Sequence, residues 1–129
     1  MEKHNSLIKN FWDLEIYRIA EDIAVVIYQI SSRFPNAEVY GVTSQLRRAV
    51  TSIGANIAEG FGRYHYKDKI RFLHNARGSL FEVAHFLRVS RRLGFITKED
   101  CEATEAKLKT LSVKLNNFIT ALRKNIPVA

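Results

Sequence analysis

Residues 44–63 read SQLRRAVTSIGANIAEGFGR, and the fold follows from where these side chains fall on a helix. At about 100° per residue, Leu46, Ala49, Val50, Ile53 and Ile57 make one apolar face. Gln45, Arg48, Ser52, Asn56, Glu59 and Arg63 make a polar stripe about 80° wide beside it. The remaining arc holds Thr51, Gly54, Ala55, Ala58 and Gly62, with Arg47 as its only charge. A helix with an ordinary solvent face carries Lys and Glu on such an arc. Small residues there let another backbone come close, and Gly54 in mid-helix costs up to about 1 kcal/mol relative to Ala. The segment is therefore expected to be enclosed on nearly all sides, partly by its own bundle and partly by a second subunit. Its polar stripe must then find hydrogen-bond or ionic partners. Arg77, Ser79 and Glu82 of the next helix supply them, so Glu59 with Arg77 and Arg48 with Glu82 are the expected cross-helix pairs. This network reads as a device that fixes helix register or subunit contact; a ligand pocket at the same side chains is the alternative.

Three further periodic segments flank this one. Residues 13–33 place Ile16, Ile19, Ala20, Ile23, Ile27 and Ile30 at three- and four-residue steps, with Asp13 as a candidate cap and Phe34-Pro35-Asn36 as the stop. The central helix, 43–62, ends at Gly60-Phe61-Gly62, read as a terminus in which glycine takes the left-handed conformation. Residues 66–93 form a third helix that stops at Gly94. A fourth, 97–125, opens with a capping box between Thr97 and Asp100 and carries a seam of Cys101, Thr104, Leu108, Leu111, Leu115, Phe118 and Leu122. Short connections make successive helices antiparallel neighbours, so the fold class is all-α, an up-and-down antiparallel four-helix bundle with one domain over 1–129.

Composition bounds the function. With 129 residues, 47% hydrophobic and 26% charged, the chain suits one globular core, and no apolar run approaches the roughly 20 residues of a membrane span. The first dozen residues lack the apolar stretch of an export signal, which makes the cytoplasm the expected location. Cys101 stands alone and reads as a small buried hydrophobe. Catalytic patterns fail. Glu82-Val83-Ala84-His85 matches one Glu-x-x-His element of a di-iron bundle, but there is no second copy. His4, His65, His74 and His85 lack zinc-ligand spacing, no Ser-His-Asp order can be assigned, and Gly60-Phe61-Gly62-Arg63 follows a helix rather than a strand. A non-enzymatic protein without metal or cofactor is expected.

The net charge of +7 is unevenly placed: residues 1–63 hold seven basic and seven acidic side chains, 64–95 seven and two, and 96–129 six and four. Lys67, Arg71, His74, His85, Arg88 and Arg92 fall near one line of the third helix, about 40 Å long at 1.5 Å per residue. Such a line suits a phosphate backbone, with Arg63 and Arg91 beside it and Tyr64, Tyr66 and Phe81 as stacking surfaces. The expected nucleic-acid contacts are thus Lys67, Arg71, Arg88, Arg91, Arg92 and Arg63, with RNA or DNA as ligand. The rival reading is a protein–protein adaptor docking an acidic partner; an enzyme built on Arg48, Asn56 and Glu59 ranks third.

The block at 44–63, together with LHNARGSLFE at 73–82, Phe11-Trp12-Asp13-Leu14, Phe34-Pro35, the Glu38-x-Tyr40-Gly41 element and Leu93-Gly94-Phe95-Ile96, resembles the four-helix-bundle family encoded in intervening sequences of bacterial 23S ribosomal RNA genes, the S23 type. The match covers about residues 11–123. The resemblance implies assembly into a homopentameric barrel with a positively charged face. In fold and charge the chain is also similar to the accessory proteins of diversity-generating retroelements, which bind nucleic acid and a reverse transcriptase. Position 54 is glycine where the S23 family often has proline.

Overall fold

The computed structural model describes residues 8–127. A short 3-10 turn, Phe11–Asp13, leads into α1 (Glu15–Ser31); a second, Asn36–Glu38, precedes α2 (Val42–Gly62); α3 (Tyr66–Arg92) and α4 (Lys98–Arg123) complete the chain. No strand occurs among the described residues, and α1 packs on α2, α2 on α3, α3 on α4 and α4 back on α1, closing an antiparallel four-helix bundle. No described helix is long and apolar enough to cross a membrane.

The periodicities translate into a single core. Ile16, Ala20, Ile23, Ile27 and Ile30 of α1 are buried, as are all five apolar positions of α2. From α3 come Ile70, Leu73, Ala76, Leu80, Val83 and Leu87. On α4 the buried seam runs Cys101, Thr104, Leu108, Leu111, Leu115 and then Ile119, while Phe118 and Leu122 are only half-buried. Burial raises the Cys101 thiol above its ordinary value, the state of an inert packed cysteine.

Several termini differ from their sequence reading. Asp13 does not cap α1: its carboxylate accepts the amides of Lys9 and Asn10 at 3.0 and 3.1 Å, which lowers its pKa, and it serves the preceding turn. Thr97 accepts the Asp100 amide at 3.1 Å, but the Asp100 carboxylate turns outward to Arg33 at 3.5 Å, so half of the expected capping box forms. Gly94 behaves as expected, with φ of 80° and amides of Gly94 and Phe95 closing on Arg91 and Ser90 in a Schellman stop. Gly60 and Gly62 do not. Both lie inside α2 without a positive φ, and Gly60 instead permits contact between α2 and α3.

Gly54 also finds its reason within the chain. A Cβ there would lie 3.4 Å from Cε1 of Tyr17 and 3.9 Å from Cβ of Ala20, so the glycine seats the Tyr17 ring of α1. Arg47 is similarly intramolecular. It donates to the Ser31 hydroxyl at 2.8 Å and the Tyr28 carbonyl at 3.4 Å and stacks on the Tyr28 ring, tying α2 to the last turn of α1. Thr51, Ala55 and Gly62 are exposed and Ala58 half-buried, so the outer part of the small-residue arc is open on the isolated chain.

Candidate nucleic-acid interface

The polar stripe of α2 is only partly joined to α3. The Ser52 and Ser79 hydroxyls meet at 2.9 Å, and Asn56 donates to the Ser52 carbonyl and hydroxyl at 2.9 and 3.0 Å. The two expected ion pairs are not made. Glu59 bonds Arg63 one turn along its own helix at 3.0 Å, and Arg77 donates to the side-chain carbonyl of Asn116 on α4 at 2.9 Å. Gln45, Arg48 and Glu82 are exposed, and neither Arg48 nor Glu82 has an ionic partner among the described residues. For Arg77 the reason is geometric: Arg77 and Ser79 are two residues apart, about 200° round the helix, so they edge the buried face on opposite sides. Ser79 faces α2 and Arg77 faces α4. The Glu82 and His85 pair is exposed on α3, away from the core in which a di-iron centre is built.

The basic line of α3 is not one track. Gly78, Phe81 and Glu82 interrupt it, with Phe81 61% exposed, and leave cations at its two ends. At the C-terminal end Arg88 bonds Glu105 at 2.8 Å, and Arg88 and Arg91 act on Cys101 against the opposing charges of Glu105 and Glu102. Glu99, Asp100, Glu102 and Glu105 all lie in the first two turns of α4, where carboxylates also suit the helix dipole. Arg88 is therefore ion-paired, while Arg91 and Arg92 lie near carboxylates without an ion pair among the described residues.

The N-terminal end of α3 is different. Here the C-termini of α2 and α4 converge, bringing Arg63, Lys67, Lys69, Arg71, Arg123 and Lys124 to one end of the bundle. Against them stand Glu59 and Asp68, held only by exposed pairs one turn apart, Arg63 with Glu59 at 3.0 Å and Arg71 with Asp68 at 3.6 Å. Such pairs are worth about 0–1 kcal/mol and yield readily to a phosphate. Arg63 and Arg71 both stack on the Phe72 ring, each 4.6 Å from its centroid, which fixes two guanidinium groups around one aromatic side chain. Lys69 donates to the Phe61 carbonyl at 2.8 Å, closing the end of α2, and partial burial lowers its pKa. Lys67 is exposed and has no carboxylate within ion-pair distance among the described residues.

His74 sits beside this cluster and accepts from Arg123 at 3.1 Å when its Nε2 is unprotonated. Partial burial, then Arg77, then Arg123 hold its pKa below the ordinary value. Because the folded-state value lies below that of the unfolded chain, His74 works against the fold as pH falls through about 6.5 and further through the folded midpoint. An NMR titration is expected to give a midpoint below about 6.5, and Arg123→Gln to move it upward. A midpoint unmoved by that substitution removes the assigned Arg123 contribution.

A model of the 23S rRNA-intervening sequence protein family matches residues 12–117. A crystal structure of a protein of unknown function from the S23 ribosomal protein family of Bacteroides thetaiotaomicron superposes with a TM-score of 0.75 at 26% identity, covering 81% of this chain and 97% of that one. No match was found among curated proteins. With the four-helix architecture, the family match over most of its length and a solved relative of the same shape, the chain belongs to the 23S rRNA-intervening sequence protein family.

Proposed function

We propose that this protein is a non-enzymatic homo-oligomer, a pentamer by the family resemblance, that binds RNA or DNA through phosphate contacts in the cytoplasm. The observation that carries the reading is the cluster of Arg63, Lys67, Lys69, Arg71, Arg123 and Lys124 at one end of the bundle, whose ion pairs among the described residues, Arg63 with Glu59 and Arg71 with Asp68, are exposed and easily exchanged. A surface that neutralises phosphates releases condensed counterions, so binding must weaken steeply with salt. Filter binding of the wild-type chain to single- and double-stranded probes across a salt series tests this; no binding at low salt, or affinity indifferent to salt, rejects it. The family's name, which refers to an intervening sequence of 23S rRNA, agrees with a nucleic-acid context.

Assembly rests on the outer arc of α2. Thr51, Ala55, Ala58 and Gly62 offer a second backbone a close approach and offer water almost nothing to hydrate. Ala55 is exposed, so Ala55→Lys leaves the isolated fold within about 0.5 kcal/mol of wild type while placing a long cation in the proposed contact. Light scattering is expected to show a multiple of the chain mass for wild type and a reduced mass for the variant. An unchanged mass moves the interface away from this arc.

A further inference from the structure

The corner between α2 and α3 has a feature that phosphate contact alone does not use. Tyr64 is 89% exposed and Tyr66 41% exposed, and the two line one cleft together with His65, Lys67 and Lys69, with Ile126 and Pro127 from the segment after α4 completing it. The Tyr64 and His65 rings meet edge to face at 5.0 Å, so Tyr64 spends little of its ring area inside the protein. Scattered exposed aromatics are ordinary on a protein surface. Two in one cleft with two lysines, adjoining Arg63 and Arg71, combine π-faces with cations, the two kinds of group that a nucleotide's base and phosphate engage. In a duplex a base offers only its edges, whereas an unpaired base offers its whole face to an aromatic ring.

We propose that the Tyr64–Lys69 corner is a binding site for an unpaired nucleotide, in which a base stacks on Tyr64 or Tyr66 while Lys67, with Arg63, holds the flanking phosphates. This rests on the phosphate-binding reading above and narrows its substrate class to single-stranded or looped nucleic acid. The contact is with base face and phosphate, common to RNA and DNA, and it carries no sequence preference.

The test uses the full chain with an oligouridylate, an oligothymidylate of equal length and a duplex of the same phosphate count. Tyr64→Leu and Tyr66→Leu each keep an apolar side chain but lose the ring; Tyr64→Phe keeps the ring. Single-strand affinity is expected to fall about tenfold in the leucine variants and to stay within about twofold in Tyr64→Phe, with the duplex affinity and the salt slope unchanged. A 2-aminopurine placed in the single strand reports stacking directly, its fluorescence falling on binding to wild type and not to the double leucine variant. A loss on oligouridylate but not on oligothymidylate assigns the site to RNA, and equal losses assign it to both. Leucine variants that bind single strands as wild type does, with the salt dependence intact, overturn the corner and leave the phosphate reading standing. Wild type that binds no oligonucleotide at low salt, but captures an acidic peptide instead, overturns both.

Discussion

Removing Arg63, Lys67 and Arg71 together by substitution with Gln is expected to weaken nucleic-acid binding by on the order of a hundredfold at about 0.1 M salt. The figure follows from counterion release. Each lost phosphate contact on a single strand takes about 0.7 from the slope of log affinity against log salt, which at about 0.1 M is about fivefold in affinity; three contacts multiply. The slope itself should become shallower by about 2. The control is the opposite end of the same helix. Arg88→Gln, Arg91→Gln and Arg92→Gln remove equal formal charge, but Arg88 already lies 2.8 Å from Glu105 and the first turns of α4 hold four carboxylates. Their removal also unbalances those carboxylates, yet Arg88 is the cation that phosphate would have had to win from a more buried neighbour, Glu105, than the Glu59 and Asp68 partners of Arg63 and Arg71. The expected loss is less than about tenfold. Equal losses at the two ends restore the single continuous track that the sequence suggested, and no loss at either removes phosphate binding from α3 altogether. All six side chains except Arg91 are exposed, so circular dichroism should confirm that both triple variants remain helical.

The contrast between the two ends of α3 shows what a helical projection can and cannot convey. Positions within one helix were legible: Leu46, Ala49, Val50, Ile53 and Ile57 all reach the core, and Gly94 ends α3 as its conformation requires. Short-range periodicity is fixed by the helix itself and owes nothing to the neighbours. Relations between helices were legible only where small hydroxyl groups sit near the contact line, as in the Ser52–Ser79 bond. Long charged side chains reach whichever partner is nearest, and for Glu59 that is Arg63, one turn away, rather than Arg77 across the groove. The surroundings of the basic stripe are subject to the same limit. The acidic first turns of α4 lie far along the chain, and only the antiparallel packing of α3 on α4 brings Glu105 to Arg88. Gly54 carried a real signal of close packing, but the nearest side chain is Tyr17 of the same subunit. Nothing in the sequence of α2 alone distinguishes an intramolecular neighbour from a second copy. The Arg47 link to α1 and the two guanidinium groups flanking Phe72 escaped notice because each joins residues whose proximity follows from the fold.

One substitution, made at two glycines, should have opposite signs. Gly78 lies in mid-α3, and a Cβ there would meet nothing within 4 Å. Gly78→Ala therefore gains helix propensity without a clash and is expected to stabilise the monomeric fold by up to about 1 kcal/mol, raising Tm by a few degrees. Gly60 is fully enclosed between α2 and α3. A Cβ there would lie 3.1 Å from the Lys69 carbonyl oxygen and 3.3 Å from Cβ of Phe72, and the first of these belongs to the backbone of the neighbouring helix. That backbone cannot rotate away as a side chain does; α2 and α3 must separate along the contact where Lys69 also bonds the Phe61 carbonyl. Overpacking of this kind costs about 1–3 kcal/mol, which offsets or exceeds the propensity gain for alanine. Gly60→Val adds two further carbons and a stiff β-branched side chain with little propensity gain, so the loss is expected near about 3 kcal/mol, a large part of the 5–15 kcal/mol typical of a domain. Urea denaturation of the two single variants and Gly60→Val measures all three effects on one scale. Stabilisation by Gly60→Ala equal to that of Gly78→Ala means the two helices are not in the close contact described. A loss at Gly60 with a gain at Gly78 places the α2–α3 contact at the base of the corner that presents Arg63, Tyr64 and Lys67, and ties the geometry of that surface to a single absent side chain.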